Sequence, residues 1–161
     1  MDNGMLKTVR DAGFTIKGLK TWTAREGYGF SFSLLFKGKK VAVHTQDGNG
    51  GMGRTWWEQG TKEVEAAFDA IVKSLPPVEY GSGMGLEGET YEADEDHVMA
   101  ALSDEFDLIS KVKRAAKKGK TMWTVGDKIW TGSAPFTPEY AKIIMAKYPG
   151  AVILNEVYAT A

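Results

Sequence analysis

The stretch that decides the fold runs from Gly27 to Gly53 and reads GYGFSFSLLFKGKKVAVHTQDGNGGMG. Large apolar residues alternate with small or polar ones in its first half, which is the period of a β-strand and not of a helix. The large residues are Tyr28, Phe30, Phe32, Leu34 and Phe36. After a short glycine-containing loop, Val41 and Val43 alternate with Ala42 and His44. We therefore expect two antiparallel strands with Val41 and Val43 on the apolar face and Ala42 and His44 on the polar face.

The rest of the chain predicts an α+β fold, an antiparallel β-meander covered by a helix. Residues 14–23 alternate as a further strand, and residues 61–75 carry apolar residues at helical spacing before Pro76-Pro77. The glycine- and glutamate-rich residues 76–93 predict a linker or long loop. Residues 94–161 predict a helix, a β-hairpin, a helix and a closing strand at 151–157. Residues 1–75 and 94–161 either share one sheet or form separate modules.

Composition limits the kinds of chemistry that the chain can perform. It has 161 residues and no cysteine, so disulfides and thiolate zinc sites are excluded. Its two histidines, His44 and His97, would need carboxylates such as Asp47, Asp94 or Asp96 beside them to form a metal site; we expect His44 on the surface of the sheet and His97 in the first turn of a helix. The run GNGGMG at 48–53 matches the spacing GxGxxG, but no helix begins at its last glycine, as a dinucleotide site requires. Because the sequence contains no nucleophile elbow, P-loop or zinc-protease motif, we expect no catalytic residue, no cofactor and no metal.

Charge is distributed unevenly along the chain. Residues 76–110 contain ten Asp and Glu and no Lys or Arg, whereas residues 111–161 contain nine Lys and Arg and three Asp and Glu. We expect the acidic segment to be either a soluble linker or a surface that steers a basic partner. The candidate steering residues are Glu79, Glu87, Glu89 and Glu92.

The glycine-rich loop and the residues after it form the main candidate partner-binding site. Glycines let a backbone approach another surface closely, and Arg and Trp are enriched at interface hot spots. The candidate residues are Asn49, Arg54, Trp56 and Trp57.

The string WTAREGYGFSF at 22–32 resembles the first nucleic-acid-binding motif of cold-shock domains, and VAVH at 41–44 resembles part of the second. The resemblance implies stacking of bases on strand residues. Glu26 and Ala42 depart from the pattern, since the family has a basic residue and a ring at those positions. The candidate nucleic-acid residues are Trp22, Arg25, Tyr28, Phe30 and His44.

Residues 14–57 also resemble small uncharacterised proteins of bacteriophages and bacterial mobile elements. The resemblance is carried by Glu26–Phe30, Gly38–Ala42 and Asp47–Gly51. It implies an accessory protein, cytoplasmic in a bacterial host, that binds and inhibits a host protein such as a component of a defence system. No membrane association is expected, since no apolar run is long enough to span a bilayer. A single-stranded nucleic-acid-binding module and an enzyme of unknown class remain open alternatives.

Overall fold

A computed structural model of the chain describes residues 3–81, 83 and 85–158. The predicted α+β class is confirmed, and the chain divides after Asp104 into two compact units. The described residues do not include positions 1–2, 82, 84 and 159–161, which belong to the segments predicted above. Across the described ranges, no helix is long and apolar enough to cross a membrane.

The first unit contains a four-stranded antiparallel meander. Its strands follow chain order, β1-β2-β3-β4. They span Phe14–Thr23 (β1), Tyr28–Phe36 (β2), Lys39–Gln46 (β3) and Arg54–Trp57 (β4). Two helices, Asn3–Asp11 (α1) and Lys62–Ser74 (α2), accompany the sheet, and Glu95–Lys117 (α3) begins in this unit. Within the segment predicted as a linker, Val78–Glu79 (β5) pairs with Thr90–Tyr91 (β6).

One face of the meander is buried against helices. Phe32 and Leu34 of β2 share a buried cluster with Phe68 of α2 and Val98 of α3. The ring of Phe14 meets Phe68 edge to face, with 5.0 Å between ring centroids. The predicted helical cover of the aromatic face is therefore confirmed. We call the opposite side of the sheet its outer face.

The expected assignment of β3 side chains to the two faces holds for Val41, which is buried in the core cluster, and is wrong for the three residues after it. Leu34 pairs with Ala42 but Leu35 pairs with Lys40, so Val41 is an extra residue in β3. Such a bulge exchanges the faces of the residues beyond it. Ala42 and His44 consequently face the core, and Val43 lies on the outer face.

The second unit contains a three-stranded sheet of order β8-β7-β9. It is built from Thr121–Val125 (β7), Lys128–Gly132 (β8) and Val152–Ile153 (β9), with helices Pro138–Lys147 (α4) and Leu154–Tyr158 (α5). Trp123, Ala141, Ile144 and Ile153 form one buried cluster, and Leu108, Val112, Met122, Leu154 and Tyr158 form another.

The closing strand is shorter than predicted because α5 begins at Leu154. At this point the side chain of Asn155 makes the hydrogen bonds that a strand backbone would otherwise make. Its Oδ1 accepts the Met122 N–H at 2.6 Å, and its amide nitrogen donates to the Lys120 carbonyl at 3.2 Å. A buried amide that satisfies two backbone groups at once explains why the chain can leave the sheet here.

Candidate binding surface at the paired loops

Two loops of the first unit meet at one end of the meander. They are residues 22–28, around the β1–β2 turn, and residues 47–54, which contain the glycine-rich loop; together we call them the paired loops. The Arg25 backbone N–H donates to Oδ1 of Asn49 at 3.3 Å. The sequence assigned Arg25 to a nucleic-acid site and Asn49 to a protein site, and the structure brings the two together.

The glycine-rich loop is held by hydrogen bonds rather than left free. The Asn49 N–H donates to Oδ1 of Asp47 at 2.8 Å, and the Gln46 side-chain amide donates to the Gly51 carbonyl at 2.9 Å. Gly48 has φ +78°, and a Cβ there would lie 2.6 Å from the backbone of Tyr28. Glycine is therefore required at 48 for close packing of the two loops.

Large apolar side chains project from these anchored loops. Met52 is 82% exposed, Tyr28 77% and Trp22 39%. The Trp22 indole packs over Gly29 and donates its N–H to the Asp47 carbonyl at 3.3 Å, which fixes the ring. Exposed large apolar side chains on two loops that pack against each other are characteristic of interaction sites.

Several candidate residues lie away from this surface. His44 is buried, with its ring 5.5 Å from that of Phe32, and half-buried Phe30 packs against the same core cluster. Neither ring can stack on a nucleic-acid base in this position, which corrects the cold-shock expectation for these two residues. Trp57 also faces inward, with its ring 5.9 Å from Phe68, whereas its neighbour Trp56 is exposed on the outer face.

The four candidate steering glutamates lie outside the paired loops. Glu79 belongs to β5, Glu87 and Glu89 lie between β5 and β6, and Glu92 follows β6; all four are exposed. The Gly83 N–H donates to the Glu87 carboxylate at 3.0 Å, and this bond lowers the pKa of Glu87.

A polar network that the sequence did not reveal lies next to the glycine-rich loop. Nδ1 of His44 lies 2.9 Å from the Thr55 hydroxyl, which in turn donates to the Glu95 carboxylate. While Glu95 is ionised, the single hydroxyl hydrogen of Thr55 is used in the bond to Glu95, so His44 supplies the hydrogen of the first bond from Nδ1. The Gly53 N–H donates to Oδ2 of Asp96 at 2.8 Å. β3, β4 and the start of α3 are thereby joined.

Burial shifts the pKa values of His44 and Glu95 in opposite directions. Desolvation lowers the pKa of His44 below its ordinary value, partly opposed by the nearby Asp96 carboxylate. Desolvation raises the pKa of Glu95, and its carboxylate neighbours Asp69 and Asp96 add to the rise. Both shifts favour neutral side chains in the folded protein.

The arrangement of the network fits a structural role. The described cleft at the end of α2, with a volume of about 450 Å³, is lined by Val72, Lys73, Leu75, Pro77, Glu92 and Ala93. None of these residues belongs to the network. Among the residues that the structure describes, no group of three or more His, Cys, Asp or Glu is placed to hold a metal ion.

Comparisons of the chain with protein-family models, with curated proteins and with solved structures found no match.

Proposed function

We propose that the chain is a non-enzymatic binding protein that contacts a host protein through the paired loops and inhibits it. The observation that carries this proposal is the exposure of Trp22, Tyr28 and Met52 on a backbone anchored by hydrogen bonds. Aromatic residues, Met and Arg are enriched in the cores of protein interfaces. Exposed Arg25 and Arg54 lie in the same loops.

The rigidity of the loops supports a role in binding. Side chains and loops that must become ordered on association cost free energy, about 0.5–1.5 kcal/mol for each flexible side chain. The Trp22 ring is already fixed by its bond to Asp47, and Gly48 fixes the packing of the loops. The resemblance of residues 14–57 to phage proteins supports a partner in a bacterial host. Burial of His44 supports a structural role for this side chain.

The test compares two variants of the full chain in pull-downs from bacterial lysate followed by mass spectrometry. Tyr28→Ala with Met52→Ala removes the two most exposed apolar side chains of the paired loops. Lys142→Ala with Ile143→Ala is the matched control, because both residues are exposed in the second unit. We expect a protein that the wild type and the control recover and that the loop variant recovers at least tenfold less. Equal recovery by both variants would refute the proposal.

A second candidate, binding of single-stranded nucleic acid, is favoured by the charge of the sheet. The four strands contain no Asp or Glu. Register places Lys17, Lys20 and Arg54 on the outer face, together with the exposed rings of Trp22 and Trp56. A cationic surface with exposed aromatic rings is the usual platform for unpaired bases.

Salt dependence separates this candidate from protein binding. Binding of a labelled oligothymidine should weaken with salt, with a slope of about −0.7 for each cation that contacts a phosphate. Lys17→Ala with Lys20→Ala should reduce that slope, whereas Tyr28→Ala with Met52→Ala should leave it unchanged. Failure of the wild type to bind the oligonucleotide at low salt would exclude this candidate.

A further inference from the structure

The hairpin strand β8 forms an open edge of the sheet in the second unit. In the order β8-β7-β9, β8 has a hydrogen-bonded neighbour on one side, and the described residues place no strand on its other side. Its first four residues, Lys128–Thr131, are all exposed. An open edge carries backbone groups that can pair with another strand.

The register identifies which backbone groups of β8 point outward. Val125 pairs with Lys128 across the two-residue turn, where Gly126 has φ +58°. Antiparallel pairs alternate between those that exchange hydrogen bonds and those whose N–H and C=O groups point away from each other. Because the pair at the turn is hydrogen-bonded, Ile129 and Thr131 direct their backbone N–H and C=O groups to the open edge.

Two large apolar side chains lie at the centre of this edge, although edges are normally protected by charge, proline or a bulge. Ile129 is 49% exposed and Trp130 is 43% exposed. Val152 of β9, 48% exposed, lies on the same face as Ile129, since both pair with Thr124. Ile129 and Val152 therefore lie on one face of the sheet, on either side of Thr124.

Cations lie beside this apolar edge. The Trp130 ring stacks on Tyr148 at 6.0 Å between centroids, and the Lys147 ammonium lies 5.4 Å from the Tyr148 ring centroid. Lys128 begins the strand itself. Strand β8 contains no acidic residue, so a second copy of this edge would offer its cations no opposite charge within the paired strands. An acidic segment has the complementary charge.

We propose that β8 binds an extended, acidic segment of a protein partner as an added strand. Ile129 and Thr131 supply the backbone hydrogen bonds, and Ile129 contacts the apolar side chains on one face of the added strand. Lys128 and Lys147, which lie on the Trp130 side of the sheet, face the acidic side chains on the other face. This mode of recognition obtains affinity from main-chain bonds and specificity from alternate side chains. The site lies wholly in the second unit and does not depend on the paired loops.

The test titrates the full chain against a labelled nine-residue peptide in which glutamate and valine alternate, followed by fluorescence anisotropy. A peptide with lysine in place of glutamate should bind at least tenfold more weakly. A glutamate–valine peptide N-methylated at the residues that donate to β8 should also bind at least tenfold more weakly, because it lacks the N–H groups that pair with an edge. Equal binding of the acidic and basic peptides would overturn the proposal.

Two substitutions at one position separate the outward N–H from the side chain. Thr131→Pro removes the N–H that points to the open edge and leaves the ladder to β7 intact, whereas Thr131→Ala keeps it. We expect about a tenfold loss of peptide affinity for the proline variant and little change for the alanine variant. If the proline variant melts early, the N-methylated peptides provide the decisive measurement. Unchanged affinity in a folded proline variant, or dimers of the chain that the acidic peptide does not dissociate, would overturn the proposal.

Discussion

Gly53→Ala should destabilise the first unit although it adds a single methyl group. A Cβ at this position would lie 2.6 Å from Cε1 of His44 and 2.7 Å from Oδ1 of Asp96. Both distances are far below van der Waals contact, so the loop must move away from the buried ring. Overpacking of this kind costs about 1–3 kcal/mol. Movement of the loop would also weaken the Gly53–Asp96 hydrogen bond, which contributes about 1.5–3 kcal/mol because its acceptor is charged.

We therefore expect Gly53→Ala to lower the free energy of unfolding by about 2–5 kcal/mol. The assay is hydrogen exchange of the β2–β4 amides, which reports the first unit separately from the second. Gly51→Ala is the matched control, because a Cβ there meets nothing within 4 Å and its φ is not positive. The control should stay within about 0.5 kcal/mol of wild type or gain slightly in stability.

A double-mutant cycle with His44→Ala tests whether the clash with the ring is the cause. Removal of the imidazole deletes the two contacts at Cε1 and Nε2, and the Asp96 contact remains. The cost of Gly53→Ala should then be at least about 1 kcal/mol smaller than in the wild-type background. Equal costs in the two backgrounds, or a Gly53→Ala variant as stable as Gly51→Ala, would refute the reasoning.

Four further predictions follow from individual side chains. Phe32→Ala should cost about 3–5 kcal/mol in thermal or urea unfolding, whereas Ser33→Ala on the outer face should cost little; equal costs would contradict the assignment of faces. The pKa of Glu95 is raised from 4.5, so its contribution to stability is present at low pH and lost as pH rises through the folded-state value. Glu95→Gln should therefore be more stable than wild type at pH 7–8, and the difference should disappear near pH 4; a constant difference would contradict the pKa shift. The buried indole N–H of Trp123 has no acceptor among the described residues. The free energy of unfolding of Trp123→Phe should therefore stay within about 1 kcal/mol of wild type, whereas Trp123→Ala should lose about 3–5 kcal/mol. Substituting Gln for the four candidate steering glutamates should slow association with a basic partner several-fold at low salt and hardly at all at high salt, which stopped-flow measurements would show. An unchanged association rate at low salt would mean that these residues do not steer the partner.

The meander and its helical cover could be predicted because local patterns encode them. Alternation in β2 and the apolar spacing of α2 each identify a buried face without reference to the other element. No sequence pattern indicates the bulge at Val41, because the neighbouring residues are small or polar and fit either face of the sheet. One extra residue was enough to exchange Val43 and His44 between the faces, so the one histidine of the sheet was assigned to the wrong environment.

The candidate site was predicted in pieces and could not be assembled from sequence. Trp22, Tyr28 and Asn49 were all identified, but as parts of two different functional sites. Their common location depends on the packing of Gly48 against β2, which is a tertiary contact. The network of Thr55 and Glu95 joins residues forty positions apart, and neither residue type is unusual where it stands. The start of α3 accordingly looked like an ordinary acidic helix terminus.

Seven of the ten carboxylates in the acidic segment form two groups in the structure. At the start of α3, Asp94 accepts the His97 N–H at 2.8 Å, Asp96 accepts from Gly53 and Glu95 accepts from Thr55. The hydrogen bonds that these three side chains accept hold a helix terminus and a loop in place. Of these seven, we therefore expect the exposed glutamates around β5 and β6 to contribute most of any charge that acts on a distant partner. Substitutions at the helix start should act on stability, and substitutions around β5 and β6 should act on the rate of association.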